Sequence, residues 1–224
     1  VSAEDRPDLT QVDTWLFDLD DTLYPPACQL MGLVDERMTA FVVRQTGLPW
    51  DEARALQKSY YHAHGTTLAG LMQFHRVEPA AFIAEVQDVA MDCLSPDPAL
   101  RAALQRLQGR RLVFTNAGGR YAEQVLAKLE IADLFEDVFH IEAADYIPKP
   151  QVATFDRMLK RHAVQPASSA FFEDSERNLA PAAALGMTTI LVGPHALTST
   201  APFVHHRTEH LAPFLEAARL RQDS

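Results

Sequence analysis

The sequence predicts a doubly wound parallel α/β sheet of Rossmann type, interrupted by an inserted helical subdomain. Three observations predict it. Five short apolar runs read as buried strands, helical patterns separate the last four, and residues 26–94 contain no good strand.

The first run is residues 14–19 (TWLFDL). Residues 111–115 (RLVFT), 137–141 (DVFHI), 170–173 (AFFE) and 188–192 (TTILV) follow. Runs without apolar/polar alternation belong inside a parallel sheet, where helices cover both faces. Between them, apolar residues at 100, 103, 104 and 107 mark one helix, and those at 121, 122, 125, 126 and 129 mark another. Residues 154–163 and 179–185 continue the alternation. After the first strand, Leu30, Leu33, Val34, Met38, Phe41 and Val42 form a helical stripe that ends at Thr46-Gly47. Residues 51–61, 68–74 and 79–93 read as three more helices. The expected division is therefore an α/β core over residues 1–24 and 95–224, with a helical insertion over 25–94. Pro25-Pro26 and the SPDP at 95–98 punctuate its joints. Residues 201–224 read as a loop bearing His205, His206 and His210, then an amphipathic helix. Metal binding by those histidines is weighed below an ordinary exposed surface.

The chain has 224 residues, 47% of them apolar, which supports a sizeable core and argues against disorder. Its formal net charge of −10 argues against a nucleic-acid backbone or an anionic membrane as partner. A small phosphorylated ligand stays open, because a local cation overrides the net field. Two cysteines, Cys28 and Cys93, make no disulfide framework, so the expected compartment is a reducing cytoplasm. They flank the insertion joints, and small buried hydrophobes are a better reading than a redox latch. The segment VSAEDRPDL lacks the basic and apolar regions of a signal peptide, and no apolar run is long enough to span a bilayer.

In a parallel sheet, ligands gather outside the carboxyl ends of the strands. Asp18 and Asp20 end the first predicted strand, Thr115-Asn116 the second and Glu173-Asp174 the fourth. Lys149 lies in YIPKP after the third. Carboxylates, a hydroxyl and an ammonium converging there describe a site for a divalent cation plus an anion. Taken singly, each has an ordinary alternative. Asp18 and Asp20 suit a turn, Lys149 a solvated surface, and Asn178 a helix cap. Against the turn, Asp18 follows Trp-Leu-Phe and precedes Leu19, and an unpaired buried carboxylate is expensive. Alternation places Asp18 and Asp20 on one side of the chain.

Together the four fragments DLDDT (18–22), FTNA (114–117), PKP (148–150) and FFEDSERN (171–178) resemble, in order, the motifs of the haloacid dehalogenase superfamily. The stretches LVDERMTAFV, YYHAHGTTLAGLM and PDPALRAALQRL resemble its pyrimidine 5′-nucleotidase-like branch, and make the insertion a cap. The resemblance implies a Mg²⁺-dependent phosphatase. Asp18 would be the nucleophile that forms an aspartyl-phosphate, and Asp20 the general acid and then base. Thr115 and the backbone at Asn116 would hold phosphate oxygens, and Lys149 would balance charge. Asp18, the carbonyl of Asp20 and Asp174 would bind Mg²⁺, with Glu173 and Asn178 in or near the outer shell. Asp21 stands where many relatives carry Asn or Gly. Mg²⁺ is hard, and takes one or two carboxylates plus waters and phosphate oxygens, which these strand ends offer.

The cap would close over the site. Within YYHAHGTTLAG, Tyr61, His64, Thr66 and Thr67 are candidates for contacting a nucleobase or ribose, and packing of the cap interior is an equal alternative. The expected activity is phosphate release from nucleoside 5′-monophosphates. Other readings are a phosphatase or phosphomutase for sugar phosphates, a metal-independent 2-haloacid dehalogenase, and a non-catalytic binding protein. The oligomeric state stays open between monomer and homodimer.

Overall fold

The computed structural model describes residues 6–221. Among these, six parallel strands form one sheet in the order β3-β2-β1-β4-β5-β6. They are β1 (Thr14–Phe17), β2 (Arg110–Phe114), β3 (Asp137–Phe139), β4 (Ser169–Glu173), β5 (Thr188–Val192) and β6 (His206–Thr208). The sheet grows from β1 through β2 to β3 on one side and through β4 and β5 to β6 on the other. The strand order therefore switches beside β1, where such folds leave a crevice at the carboxyl edge.

Alternation along β1 sends Trp15 and Phe17 into one core and Leu16 into the other. Helices α5 (Pro98–Gln105), α6 (Gly119–Lys128) and α9 (Leu211–Ala217) cover the first face with Leu104, Val125 and Leu215. Helices α7 (Val152–His162) and α8 (Glu176–Ala184) cover the second with Phe155 and Leu179. Aromatic contacts tie both layers. Phe17 stacks on Phe172 at 4.7 Å, and Phe114 meets Phe155 edge-on at 5.0 Å.

Between β1 and α5 come α1 (Leu30–Thr46), α2 (Trp50–His64), α3 (Thr67–His75) and α4 (Pro79–Val86). They share a separate core that includes Val42, Ala53, Leu71 and Phe82. A buried polar chain also joins α1 to α2. The Thr39 hydroxyl donates to Gln57 Oε1 at 2.5 Å, and Gln57 Nε2 donates to Asp35 Oδ1 at 2.6 Å. Among the described residues no helix is long and apolar enough to cross a membrane.

The structure departs from the sequence expectations in four places. The helix expected over 79–93 ends at Val86, because Met91 and Leu94 turn away to join the first sheet-facing core. The expected histidine loop contains β6. Its order comes from pairing with Ile190–Val192, whereas its own half-buried His-Arg-Thr carries no apolar signal. His205 is fixed there by the Thr189 amide and hydroxyl, and His206 lies beside Phe214, so the histidines form no metal cluster among the described residues. Asn178 lies inside α8, and Ser175 takes the cap position instead. Cys93 is exposed and Cys28 half-buried, so neither is the fully buried hydrophobe expected.

Candidate active site

A cavity of about 560 Å³ opens at the carboxyl edge of the sheet, between the core and helices α1–α4. Asp18, Asp20, Thr115, Asn116, Lys149, Glu173, Asp174 and Asn178 all line it. Each arrives from a strand end or the loop beyond it. The Asp18 amide still bonds to the Phe172 carbonyl at 2.9 Å, one residue past β1. The Thr115 amide bonds to the Phe139 carbonyl at 3.0 Å, one residue past β2. Asp21 then turns the chain with φ of 59°, a left-handed conformation that Asn and Gly adopt more readily.

Lys149 is the hub. Its ammonium is 1% exposed and donates to Asp18 Oδ1 at 2.6 Å, Glu173 Oε2 at 2.7 Å and the Phe114 carbonyl at 2.8 Å. All three donors are thereby used. The rings of Phe114 and Phe171 lie 5.1 and 5.2 Å from it, close enough for cation–π attraction. Burial works against the charged ammonium, but the two carboxylates outweigh it and raise its pKa. The Asn116 side chain clasps the same loop at two points. It accepts from the Lys149 amide at 2.8 Å and donates to the Lys149 carbonyl at 3.2 Å. The Thr115 hydroxyl accepts from the Ala117 amide at 2.9 Å.

One ammonium does not balance the carboxylates. Burial first, then the charge of Glu173, pushes Asp18 well above the usual carboxylate range, and Lys149 only partly opposes this. Asp174 meets solvent through the cavity mouth while protein crowds its other sides. Desolvation, followed by the charges of Glu173 and Asp18, raises it as well. Carboxylate oxygens of Asp18, Glu173 and Asp174 lie within 4.8 Å of one another. Glu173 is already committed to Lys149 and to the Ser175 amide. A buried, under-compensated set of hard oxygen donors suits a divalent cation such as Mg²⁺.

Asp20 has partners that the sequence did not reveal. The hydroxyls of Tyr24 and Tyr121 both donate to its Oδ1, at 2.5 and 2.9 Å. Tyr24 is four residues away in DDTLYPP, and Tyr121 is on α6. No local pattern announces that two such distant phenols meet. Desolvation raises Asp20, while the two phenols and Lys149 pull it down.

The four insertion candidates separate. Tyr61, Thr66 and Thr67 line the cavity; His64 does not. The half-buried His64 ring instead lies against Tyr60 and the exposed Phe74, at 6.0 and 5.4 Å. Thr66 caps α3 by accepting from the Ala69 amide, and the Thr67 hydroxyl donates to the Gln57 carbonyl at 3.3 Å. Tyr61 lies under the Arg177 guanidinium at 4.8 Å. Between them, Gly65 has φ of 92°, and an added Cβ would stand 3.1 Å from Pro148 Cγ. The α2–α3 turn thus presses on the loop that carries Lys149.

Comparison with known proteins fits this geometry. Phosphate metabolism protein 8 of Saccharomyces cerevisiae is 27% identical over 207 residues, covering 84% of this chain. The chain spans 64% of that relative's length. The HAD phosphatase from Thermococcus onnurineus superposes with a TM-score of 0.61 at 18% identity, over 93% of this chain and 100% of that one. The 2-haloacid dehalogenase from Pseudomonas syringae pv. Tomato DC3000 superposes with a TM-score of 0.57, also at 18% identity, over 92% and 97%. Likeness at these identities shows a common fold and does not separate the two chemistries. The family model described as haloacid dehalogenase-like hydrolase matches residues 12–186. By that match the chain belongs to the haloacid dehalogenase-like hydrolase family.

Proposed function

We propose that this protein is a Mg²⁺-dependent phosphomonoesterase that uses Asp18 as nucleophile. The observation that carries the proposal is the second acid. Asp20 lines the same cavity as Asp18, while Lys149 holds Asp18 and not Asp20. Displacement at carbon by one carboxylate has no use for that second group. Phosphoryl transfer to Asp18 with departure of an alkoxide has.

Lys149 fixes Asp18 Oδ1, leaving Oδ2 for in-line attack on phosphorus. As the new O–P bond forms, the bond to the ester oxygen breaks, and Asp20 delivers a proton to that oxygen. Asp20 then takes a proton from the water that attacks the aspartyl-phosphate, releasing inorganic phosphate and restoring Asp18. The Thr115 hydroxyl and the backbone amide at Asn116 orient the phosphate oxygens. Asp18, Asp174 and the Asp20 carbonyl would hold the cation, with Glu173 bracing them through Lys149 and Asn178 beside them. When bound, the cation offsets repulsion between the nucleophilic carboxylate and the phosphate dianion.

The cap, residues 25–94, supplies the remaining walls. Met31, Val34, Met38 and Phe82 provide apolar surface, while Tyr61, Thr66 and Gln57 provide aromatic and polar edges. Such a mixture suits a flat, polar-edged leaving group, and a nucleoside 5′-monophosphate has one. The test is phosphate release from nucleotides, sugar phosphates and small phosphoesters with and without Mg²⁺. Release should need the cation and vanish in Asp18→Asn. Turnover that survives Asp18→Asn would remove Asp18 as nucleophile, and metal-independent halide release from a 2-haloacid would replace the proposal with a dehalogenase.

A further inference from the structure

The surroundings of Asp20 carry an inference of their own, which rests on the phosphomonoesterase proposal. Two phenol hydroxyls converge on one carboxylate oxygen. Tyr24 Oη and Tyr121 Oη both donate to Asp20 Oδ1, at 2.5 and 2.9 Å. Both rings are 3% exposed and packed in the sheet-facing core, so neither hydroxyl can follow a moving carboxylate without disturbing that core. Burial, with the charge of Asp20 behind it, raises both phenols and keeps them protonated as donors. Asp20 Oδ2 has no protein hydrogen bond among the described residues, and the residue lines the cavity.

The two tyrosines come from different supports. Tyr121 belongs to α6, anchored on the sheet. Tyr24 directly precedes Pro25-Pro26, where the chain leaves the core for the helical insertion. Asp20 is thus tethered to the core and to the insertion joint through one atom. A carboxylate fixed at one oxygen by two charge-assisted bonds presents its other oxygen in one direction.

We propose that Tyr24 and Tyr121 are positioning residues that lock Asp20 by Oδ1, so that Oδ2 alone exchanges a proton with the leaving-group oxygen. The proton moves from Oδ2 to the ester oxygen while the bond from that oxygen to phosphorus breaks and the bond from Asp18 forms. An aryl leaving group that departs as a stable anion needs no such proton. An alkoxide does.

The experiment compares wild type, Y24F, Y121F and the double variant on an alkyl phosphate and on 2,4-dinitrophenyl phosphate. The readout is kcat/KM, which covers steps up to the first irreversible transfer to Asp18. Phenylalanine keeps the ring in the core, so the hydroxyls are deleted without a cavity. Because general acids contribute roughly 10²–10⁴-fold, the double variant should lose about tenfold or more on the alkyl ester and less than about threefold on the dinitrophenyl ester. A crystal structure of the metal-free double variant gives the second readout, with Asp20 spread over more than one rotamer. Equal losses on the two esters, or an Asp20 still held in the wild-type rotamer, would overturn the proposal. A wild type inert toward both esters would overturn the phosphomonoesterase proposal instead. In that case the rotamer comparison alone still decides whether the tyrosines fix Asp20.

Discussion

At the scale of single residues, the site is a surplus of negative charge gathered around one ammonium. Removing that ammonium tests the idea directly. In Lys149→Met, Asp18 and Glu173 lose their shared partner inside the protein. Breaking a buried ion pair from one side costs about 3–5 kcal/mol, so urea unfolding should show a loss of that order. A loss below about 1 kcal/mol would mean that the pair behaves like a surface contact. Asp21 makes the opposite case. Desolvation, then the charge of Asp20, raises it to about 6. The unfolded value is near 3.9, so below about pH 4 Asp21 is protonated in both states and contributes nothing. As the pH rises from about 4 through 6, ionisation becomes easier in the unfolded chain than in the fold, and stability is lost. Asp21→Asn removes that charge and suits the left-handed backbone better. Melting in EDTA should therefore show a gain over wild type that is larger at pH 7.5 than at pH 4. A gain independent of pH would assign the benefit to the backbone alone.

At the scale of elements, the close packing of α2 and α3 depends on Gly70. A Cβ built there would stand 2.3 Å from Tyr60 Cγ, at the root of the ring, where a small rotation gives no relief. Gly70→Ala raises intrinsic helix propensity by about 1 kcal/mol, yet overpacking of this kind costs about 1–3 kcal/mol. Net destabilisation in a denaturant titration is expected, and net stabilisation would show that the helices separate easily. The elements also show what the sequence could tell. β1, β2, β4 and β5 were legible because burial on both faces demands apolar stretches such as WLF and AFF. β6 was not, because an edge strand of three half-buried polar residues takes its order from its neighbour's ladder. The end of α4 was misplaced because helical spacing persists beyond Val86. Only the competing attraction of Met91 and Leu94 to a different core ends the helix. Asn178 was misassigned for a related reason. α8 starts three residues before the apolar stripe from which its beginning was inferred.

At the scale of the whole molecule, strands and loops far apart in sequence deliver carboxylates to one edge of one sheet. The strand-end contributions were legible, because an acid or hydroxyl directly after a buried run is chemically out of place, whereas Lys149 was legible only through the PKP fragment taken with the other three. Tyr24 and Tyr121 were not, because a buried tyrosine in a helix or turn is ordinary core until its hydroxyl's partner is known. The same convergence should tie global stability to the cation. The fold must hold Asp18, Glu173 and Asp174 close together, whereas the unfolded chain lets them part. A cation that binds only the folded state adds about 2.7 kcal/mol at 100 times its Kd, equivalent to roughly 5–10 °C in Tm for a chain of this length. Adding Mg²⁺ to EDTA-treated protein should raise Tm on that scale. Asp174→Asn should cancel most of the rise, because it removes the ligand that Lys149 does not hold. The same variant should melt no lower than wild type in EDTA, since it deletes a carboxylate that desolvation and its neighbours disfavour. If Mg²⁺ leaves wild type unmoved, or moves both proteins equally, then the acidic cluster is not a cation site, and the surplus charge at the sheet edge needs a different partner.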